Sequence, residues 1–443
     1  MAFEDLELPG RIVRTNSASV PILPLYCRLA KLTPLLRSAT YPPQFLMPVV
    51  LNRNCSVRFT RLVMMPIVLA IGLVSVMPAN RAQACPFCSA VAQTLRQEME
   101  AMDAVVVASA TQSDATRNTD TGEVSMQIEA VLKGGEHVKV GQNVKAIYFG
   151  DVARGRRFLL SGVDPDDMQW SCLPLTPRAE VYVTKIPELA KKDDATRLHF
   201  YLKYLEDEDS MLSRDAYDEF AVAPYASVQQ IKDEMDHDQL LKWIADPEMS
   251  PDRKRLYLTM LGVCGSKADL PLLEEMLLST QKTARTGLDA LIACYLTLAG
   301  EDGLELINKQ FLVNQQASYA DTYAAIMAIR FHGTEGGVIA RSALVESLHF
   351  ILDRVDLADL VIPDLARWQD WSQVKKLKEL FLAADAENNW VRVPVINYMR
   401  ACPTDEAAEA MEELKKADPE SVRRANTFFA VPKPTDEVKP QLQ

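Results

Sequence analysis

Beyond residue 190, apolar positions recur at helical spacing, and the spacing itself repeats. Successive units anchored on Gly265, Gly300, Gly333, Gln369 and Pro403 lie 35, 33, 36 and 34 residues apart. Eight positions before the anchors stand Tyr257, Ile292, Ala325, Val361 and Val395, and seven before them Leu258, Ala293, Ile326, Ile362 and Ile396. Four before come Leu261, Leu296, Ile329, Leu365 and Met399; eleven after come Met276, Phe311, Leu344, Leu380 and Leu414. All twenty are apolar in a chain that is 48% apolar. A period near 35 with helix, turn and helix per unit is the pattern of an all-α solenoid, expected here over residues 191–425 and right-handed. Gly or Pro at most anchors ends the first helix and lets the chain turn into the second.

Upstream the period changes from helical to strand-like. Ala104 to Ala110 is a Val-rich run, and Val124, Met126 and Ile128 alternate with polar neighbours. Val144 to Phe149, Arg157 to Val163 and Glu180 to Ile186 follow, separated by turn residues at Asp120 to Gly122, Gly134-Gly135, Gly141, Gly150 and Asp164-Pro165. Short strands at about ten-residue spacing predict a small antiparallel β-barrel over residues 85–190. Pro432, Pro434 and Pro440 mark residues 426–443 as a loose, disordered tail.

Charge adds a third region. No acidic residue stands between Glu7 and Glu98, while Arg53, Arg58 and Arg61 precede an uncharged stretch from Leu62 to Asn80. That is the order of an export signal. Ala82-Gln83-Ala84 supplies small residues for cleavage after Ala84, which makes Cys85 the first mature residue of a periplasmic or secreted protein. A start at Met47 gives a presequence of ordinary proportions, so residues 1–46 read as an over-called start within a 1–84 leader. The alternative is an uncleaved membrane anchor at 62–80, although Pro66, Gly72 and Pro78 interrupt it. The net charge of −12 is distributed as +6 over residues 1–84, −4 over 85–190 and −14 over 191–443. An acidic body of this kind disfavours nucleic acid and anionic lipid as partners.

Export makes disulfides available to Cys85, Cys88, Cys172, Cys264, Cys294 and Cys402. Cys85-Pro86-Phe87-Cys88 lacks the preceding strand of a thioredoxin-like redox site, and Ser89 stands where a haem-attachment motif needs His. Zinc on Cys85, Cys88 and Cys172 would lack a fourth ligand. The expectation is a structural disulfide from Cys172 to Cys85 or Cys88.

No nucleophile elbow, phosphate loop, dinucleotide loop or zincin motif is present, so no catalytic residue, metal or cofactor is assigned. His137, His199, His237, His332 and His349 are scattered, and His332 in Phe331-His-Gly333 reads as a capping or packing residue. The acidic run Glu206 to Asp209, with Asp215, Asp218 and Glu219, lacks calcium-loop spacing and reads as a solvated turn. Cys264, Cys294 and Cys402 read as buried thiols.

Two resemblances refine these readings. The Cys pair, a helix, Asp103 to Ala108, Val131-Leu-Lys-Gly134, Gly155 to Leu160 and the later Cys172 resemble the netrin-like module shared by tissue inhibitors of metalloproteinases and exported bacterial proteins. That resemblance implies an oligonucleotide/oligosaccharide-type (OB) barrel. Those inhibitors open with C-x-C, which lays the N-terminal amine and carbonyl on a catalytic zinc, whereas this chain has C-x-x-C with Pro86 second. Leu205 to Asp209 with Leu212, Arg214 and Ala216, and Ala417 to Glu420 with Val422, Arg423 and Ala425, resemble HEAT-like repeats of the HEAT/armadillo class, as does Trp390-Val-Arg392. In such repeats the Asp caps a helix and the Arg bridges neighbouring turns. The combined expectation is a non-enzymatic binding or scaffold protein with a protein partner. The alternative is an inhibitor or thiol-redox protein acting through Cys85 to Cys88.

Overall fold

The computed structural model describes residues 87–88, 92–385 and 389–428, with side chains to Ala425. All of these belong to one compact unit, Ala79–Gln443. An antiparallel sheet comes first and a long run of helices follows.

After helix α1 (Leu95–Ala101), five strands, β1 (Ala104–Ala110), β2 (Glu123–Lys133), β3 (Asn143–Ile147), β4 (Arg157–Val163) and β5 (Gln169–Leu175), pair in the order β3-β2-β1-β4-β5. The sheet curls until β3 lies alongside β5 without a hydrogen-bonded ladder between them, which makes it a half-barrel. Register shifts between Val105 and Val106 and between Val107 and Ala108 interrupt the β1–β2 ladder, where local irregularity increases strand twist. The Val-rich run sits at the centre because β1 is buried on both faces. Ala104, Val106 and Ala108 pack with Met126, Ile128, Phe158 and Leu160 inside the curl, whereas Val105, Val107 and Leu159 join the core of the helices.

Two sequence expectations need correction. Glu180–Ile186 is not a strand but the middle of helix α2 (Pro177–Leu189). Thr176 caps it by accepting from the Ala179 N–H, Pro177 opens it, and Ala179, Tyr182, Val183 and Ile186 are buried at helical spacing. The strand that pairs with β4 is instead β5, whose Cys172 and Pro174 obscure the alternation; an edge strand tolerates the proline.

Helices α3 (Asp194–Leu202), α4 (Ser210–Val222), α5 (Tyr225–Gln230) and α6 (His237–Ala245) lead into five helix pairs. These are α7 (Pro251–Cys264) with α8 (Leu270–Leu278), α9 (Leu288–Ala299) with α10 (Leu304–Ile307), α11 (Tyr319–Phe331) with α12 (Arg341–His349), α13 (Ile362–Arg367) with α14 (Val374–Ala383), and α15 (Arg392–Ala401) with α16 (Asp405–Ala417). Helix α17 (Pro419–Phe428) ends the described chain. Each anchor falls just after the first helix of its pair. Gly265 and Gly300 cap α7 and α9, Gly333 lies in the π-turn after α11, Gln369 adopts φ +58° after α13, and Pro403 follows the α15 cap. All twenty column positions are buried, with 9% exposure or less. Helix α9 packs between α7 and α11, α15 between α13 and α17, and α14 against α16. Ion pairs link successive units: Arg255 to Asp289 at 2.9 Å, Arg285 to Asp321 at 3.0 Å, Arg330 to Asp364 at 2.6 Å and Lys378 to Glu413 at 3.2 Å. Asp209 caps α4, and Arg392 bridges to Asp418 at 2.6 Å, whereas Arg214 pairs with Asp218 and Arg423 with Glu420 within their own helices.

Candidate functional site

Phe87 and Cys88 pack with the core of the helices rather than in the half-barrel interior. Phe87 is 3% exposed, and its ring centroid lies 5.0 Å from that of Phe331, which is 5.0 Å from Tyr225 and 5.1 Å from His332. Cys88 packs half-buried against the same core. The chain then starts α1 through a capping box between Thr94 and Gln97.

Three carboxylates of α4 receive this segment. The Ala92 N–H donates to Asp218 Oδ1 at 3.2 Å, the Leu95 N–H donates to Asp215 Oδ1 at 2.7 Å, and Arg96 Nε donates to Glu219 Oε1 at 3.1 Å. Spacing of three and four residues puts the three acids on one helix face. They are 5%, 4% and 3% exposed, so they are not the solvated turn expected of them. Asp215 Oδ2 also accepts from Tyr182 Oη at 2.6 Å, and burial pushes the Asp215 carboxyl up to about 6. Burial raises Asp218 too. Both oxygens of Asp215 are occupied by the fold itself. The arrangement is a polar clamp, in which buried charge is satisfied by two backbone donors, the Tyr182 hydroxyl and the guanidinium groups of Arg96 and Arg214. Sequence reasoning missed it, although the buried Leu212, Ala216 and Phe220 among these acids mark the stretch as a packed helix.

The neighbouring acidic run is equally engaged. Arg178 Nε donates to Asp207 at 2.6 Å, Thr176 Oγ1 donates to Asp209 at 2.7 Å, and Arg253 pairs with Glu206 at 2.7 Å. Among the described residues, no cluster of His, Cys, Asp or Glu is arranged to hold a metal ion.

The structure does not bring Cys88 and Cys172 together. Cys172 lies on β5 against the interior of the half-barrel, whereas Cys88 packs on the side of the helices. Burial pushes the Cys172 thiol up to about 11, far from a reactive thiolate. Ala84 and Cys85, and with them the cleavage site and the Cys85–Cys172 pairing, lie outside the described residues. Cys264, Cys294 and Cys402 are unbridged thiols, with Cys294 and Cys402 buried. His332 is a packing residue: its Nε2 lies 3.1 Å from the Ala293 carbonyl oxygen, and burial lowers its pKa to about 4. His199, His237 and His349 each pair with a separate carboxylate.

Among the described residues, no helix is long and apolar enough to cross a membrane; the alternative anchor at 62–80 lies outside them. Compared with known family models, curated proteins and solved structures, the chain matches none.

Proposed function

We propose that the protein is an exported, non-enzymatic binding or scaffold module, in which a netrin-like OB half-barrel caps a right-handed HEAT-like solenoid whose surface engages a protein partner. The observation that carries this reading is the apolar surface at the connections between successive helix pairs. Leu278 ends α8, Val313 follows the second pair, Tyr319 and Tyr323 stand in the first turns of α11, Phe350 and Val355 follow the third pair, and Leu382 at the end of α14 and Trp390 flank the next connection, all exposed. Tyr319 and Tyr323 are stacked, with centroids 6.0 Å apart and planes 6° apart. In a solenoid such connections fall along one edge, and exposed aromatic and aliphatic side chains in a row are characteristic of protein contact surfaces. The strand order, with β3 alongside β5, supports the OB element of the reading.

The inhibitor and redox alternatives draw no support from the Cys segment. Phe87 is buried among helix aromatics rather than presented at an edge, and the next residue, Cys88, packs against the same core.

The test compares tagged full-length protein with Tyr319→Ser/Tyr323→Ser/Leu382→Ser for capture of proteins from the native cell envelope. All three sites are exposed, so the variant should melt like wild type. The expected outcome is a partner recovered in stoichiometric amount by wild type and lost by the variant. Equal recovery by both would remove the connections from the interaction surface.

A further inference from the structure

Helices α6, α7 and α8, with the connection after α8, line a half-open cavity of about 410 Å³. Most of its wall is apolar: Leu241 and Ile244 from α6 face Leu272 and Met276 from α8. Lys254 of α7 also lines it and is 3% exposed. Its Nζ donates to the Thr283 carbonyl oxygen at 3.3 Å, and Thr283 is itself a lining residue, which places the ammonium at the cavity wall. No carboxylate oxygen among the described residues lies within salt-bridge distance of it, including that of Glu275 on the rim.

An ammonium carries three donors, and a buried one without a counter-charge is costly. The same molecule shows what a purely structural buried base looks like. Arg354, 5% exposed, ties down the connection after α10 with Nη1 donating to Thr322 Oγ1 at 2.7 Å and Phe311 O at 3.3 Å, and Nη2 to Ala317 O at 3.1 Å. Lys254 has a single long hydrogen bond in the equivalent setting and opens onto a cavity. Cavities of roughly 300–1,000 Å³ with apolar walls and a few polar groups are the usual form of a small-molecule site.

We propose that this cavity binds a small molecule with an apolar chain or ring and one carboxylate. The carboxylate takes the spare donors of Lys254, and the apolar body lies on Leu241, Ile244, Leu272 and Met276. A monoanion supplies a counter-charge in contact, where the fold offers only the more distant Asp246 carboxylate. Burial also holds the Lys254 ammonium below the usual lysine pKa range, against the opposing pull of the Asp246 carboxylate, which lies beyond salt-bridge distance.

Octanoate is the probe and octan-1-ol its neutral counterpart, titrated calorimetrically into the full-length protein. Octanoate is expected to bind wild type at one site and more tightly than octan-1-ol. Lys254→Met should weaken octanoate by roughly tenfold or more and leave octan-1-ol unchanged, the signature of a lost charge-assisted pair. Leu272→Glu, at an exposed wall position, serves as a second variant that does not disturb a buried group, and it should also weaken octanoate. The proposal is overturned if octan-1-ol binds wild type as tightly as octanoate, if wild type takes up no octanoate at millimolar concentration, or if the folded variants bind it as wild type does.

Discussion

Arg330 of α11 closes a fork on Asp364 of α13, one repeat further along the chain: Nε lies 3.0 Å from both carboxylate oxygens and Nη2 lies 2.6 Å from Oδ2. The Asp364 side chain is fully buried. Its other partner, Arg367, touches Oδ1 at 2.5 Å but is more than half exposed. Removing one member of a buried pair leaves an uncompensated charge, whereas removing a solvated partner costs little. Arg330→Met is therefore expected to destabilise by about 2 to 4 kcal/mol, and Arg367→Met by less than about 1 kcal/mol. Urea melts of the two variants decide it. Equal midpoints would mean that the fork does not join the units.

The α4 clamp should make stability depend on pH. The folded pKa of Asp215, about 6, lies above its ordinary 3.8. The folded chain therefore binds this proton more tightly than the unfolded chain. The resulting stability is fully present below about pH 4 and is lost as pH rises through the folded pKa. Asp218 shifts in the same direction. His332, with its pKa lowered to about 4, contributes the opposite slope, so a variant is needed to isolate Asp215. Asp215→Asn keeps an acceptor for Leu95 and offers Tyr182 an N–H donor. The variant should match wild type near pH 4.5 and exceed it by on the order of 2 kcal/mol near pH 7.5. Lower stability of the variant at pH 7.5 would show that the ionised carboxylate is the preferred partner.

Gly333 tests a contact between units. A Cβ there would stand 2.2 Å from the Trp368 indole, which belongs to the next unit and is packed between neighbours. Gly333→Ala forces the ring to shift and should cost about 1 to 3 kcal/mol by overpacking. Ala at Gly337, where a Cβ meets nothing within 4 Å but φ is +66°, should cost only about 1 kcal/mol of backbone strain. Thermal melts that reverse this order would place Trp368 elsewhere.

What was legible in the sequence was what repeats or is buried on both sides. The limits of β1 and β4 match the expected runs because a central strand needs no alternation to be recognised. The column register was legible because five units impose the same burial on the same position. Helix α2 was misread because Val181 and Val183 mimic strand alternation, while the deciding signal was the Thr176-Pro177 start. The clamp was hidden for another reason. Asp215, Asp218 and Glu219 are buried by a segment some 120 residues earlier in the chain; Leu212, Ala216 and Phe220 mark a packed helix, but not that its acidic face is covered as well. Lys254 stands in the charged run Asp252 to Arg255 and carried no sequence signal of its burial.

The export reading is checked at two residues. N-terminal sequencing of the mature protein should begin at Cys85; a start at residue 62 or earlier would favour the anchor. Peptide mapping without reduction should then find Cys172 joined to Cys85 or Cys88. Such a bridge closes a loop of nearly ninety residues and contributes about 2 to 4 kcal/mol by constraining the unfolded chain. A Cys172 thiol that alkylates in the denatured, unreduced protein removes the bridge from the account.

The repeat register itself is open to a direct test. Leu296 and Ile329 are fully buried in α9 and α11, at the same position of successive units. Leu296→Asp or Ile329→Asp places an unpaired carboxylate among packed helices, which costs several kcal/mol and exceeds what a single unit contributes. In the proposed solenoid each unit is stabilised by its neighbours, so loss should spread along the helices and lower the cooperativity of the melt. Glu301 and Lys375 are exposed, so Glu301→Lys or Lys375→Asp should shift stability by only about half a kcal/mol. If Leu296→Asp melted like wild type while Lys375→Asp collapsed the fold, the 35-residue register would be wrong, and the solenoid proposed on it would fall with it.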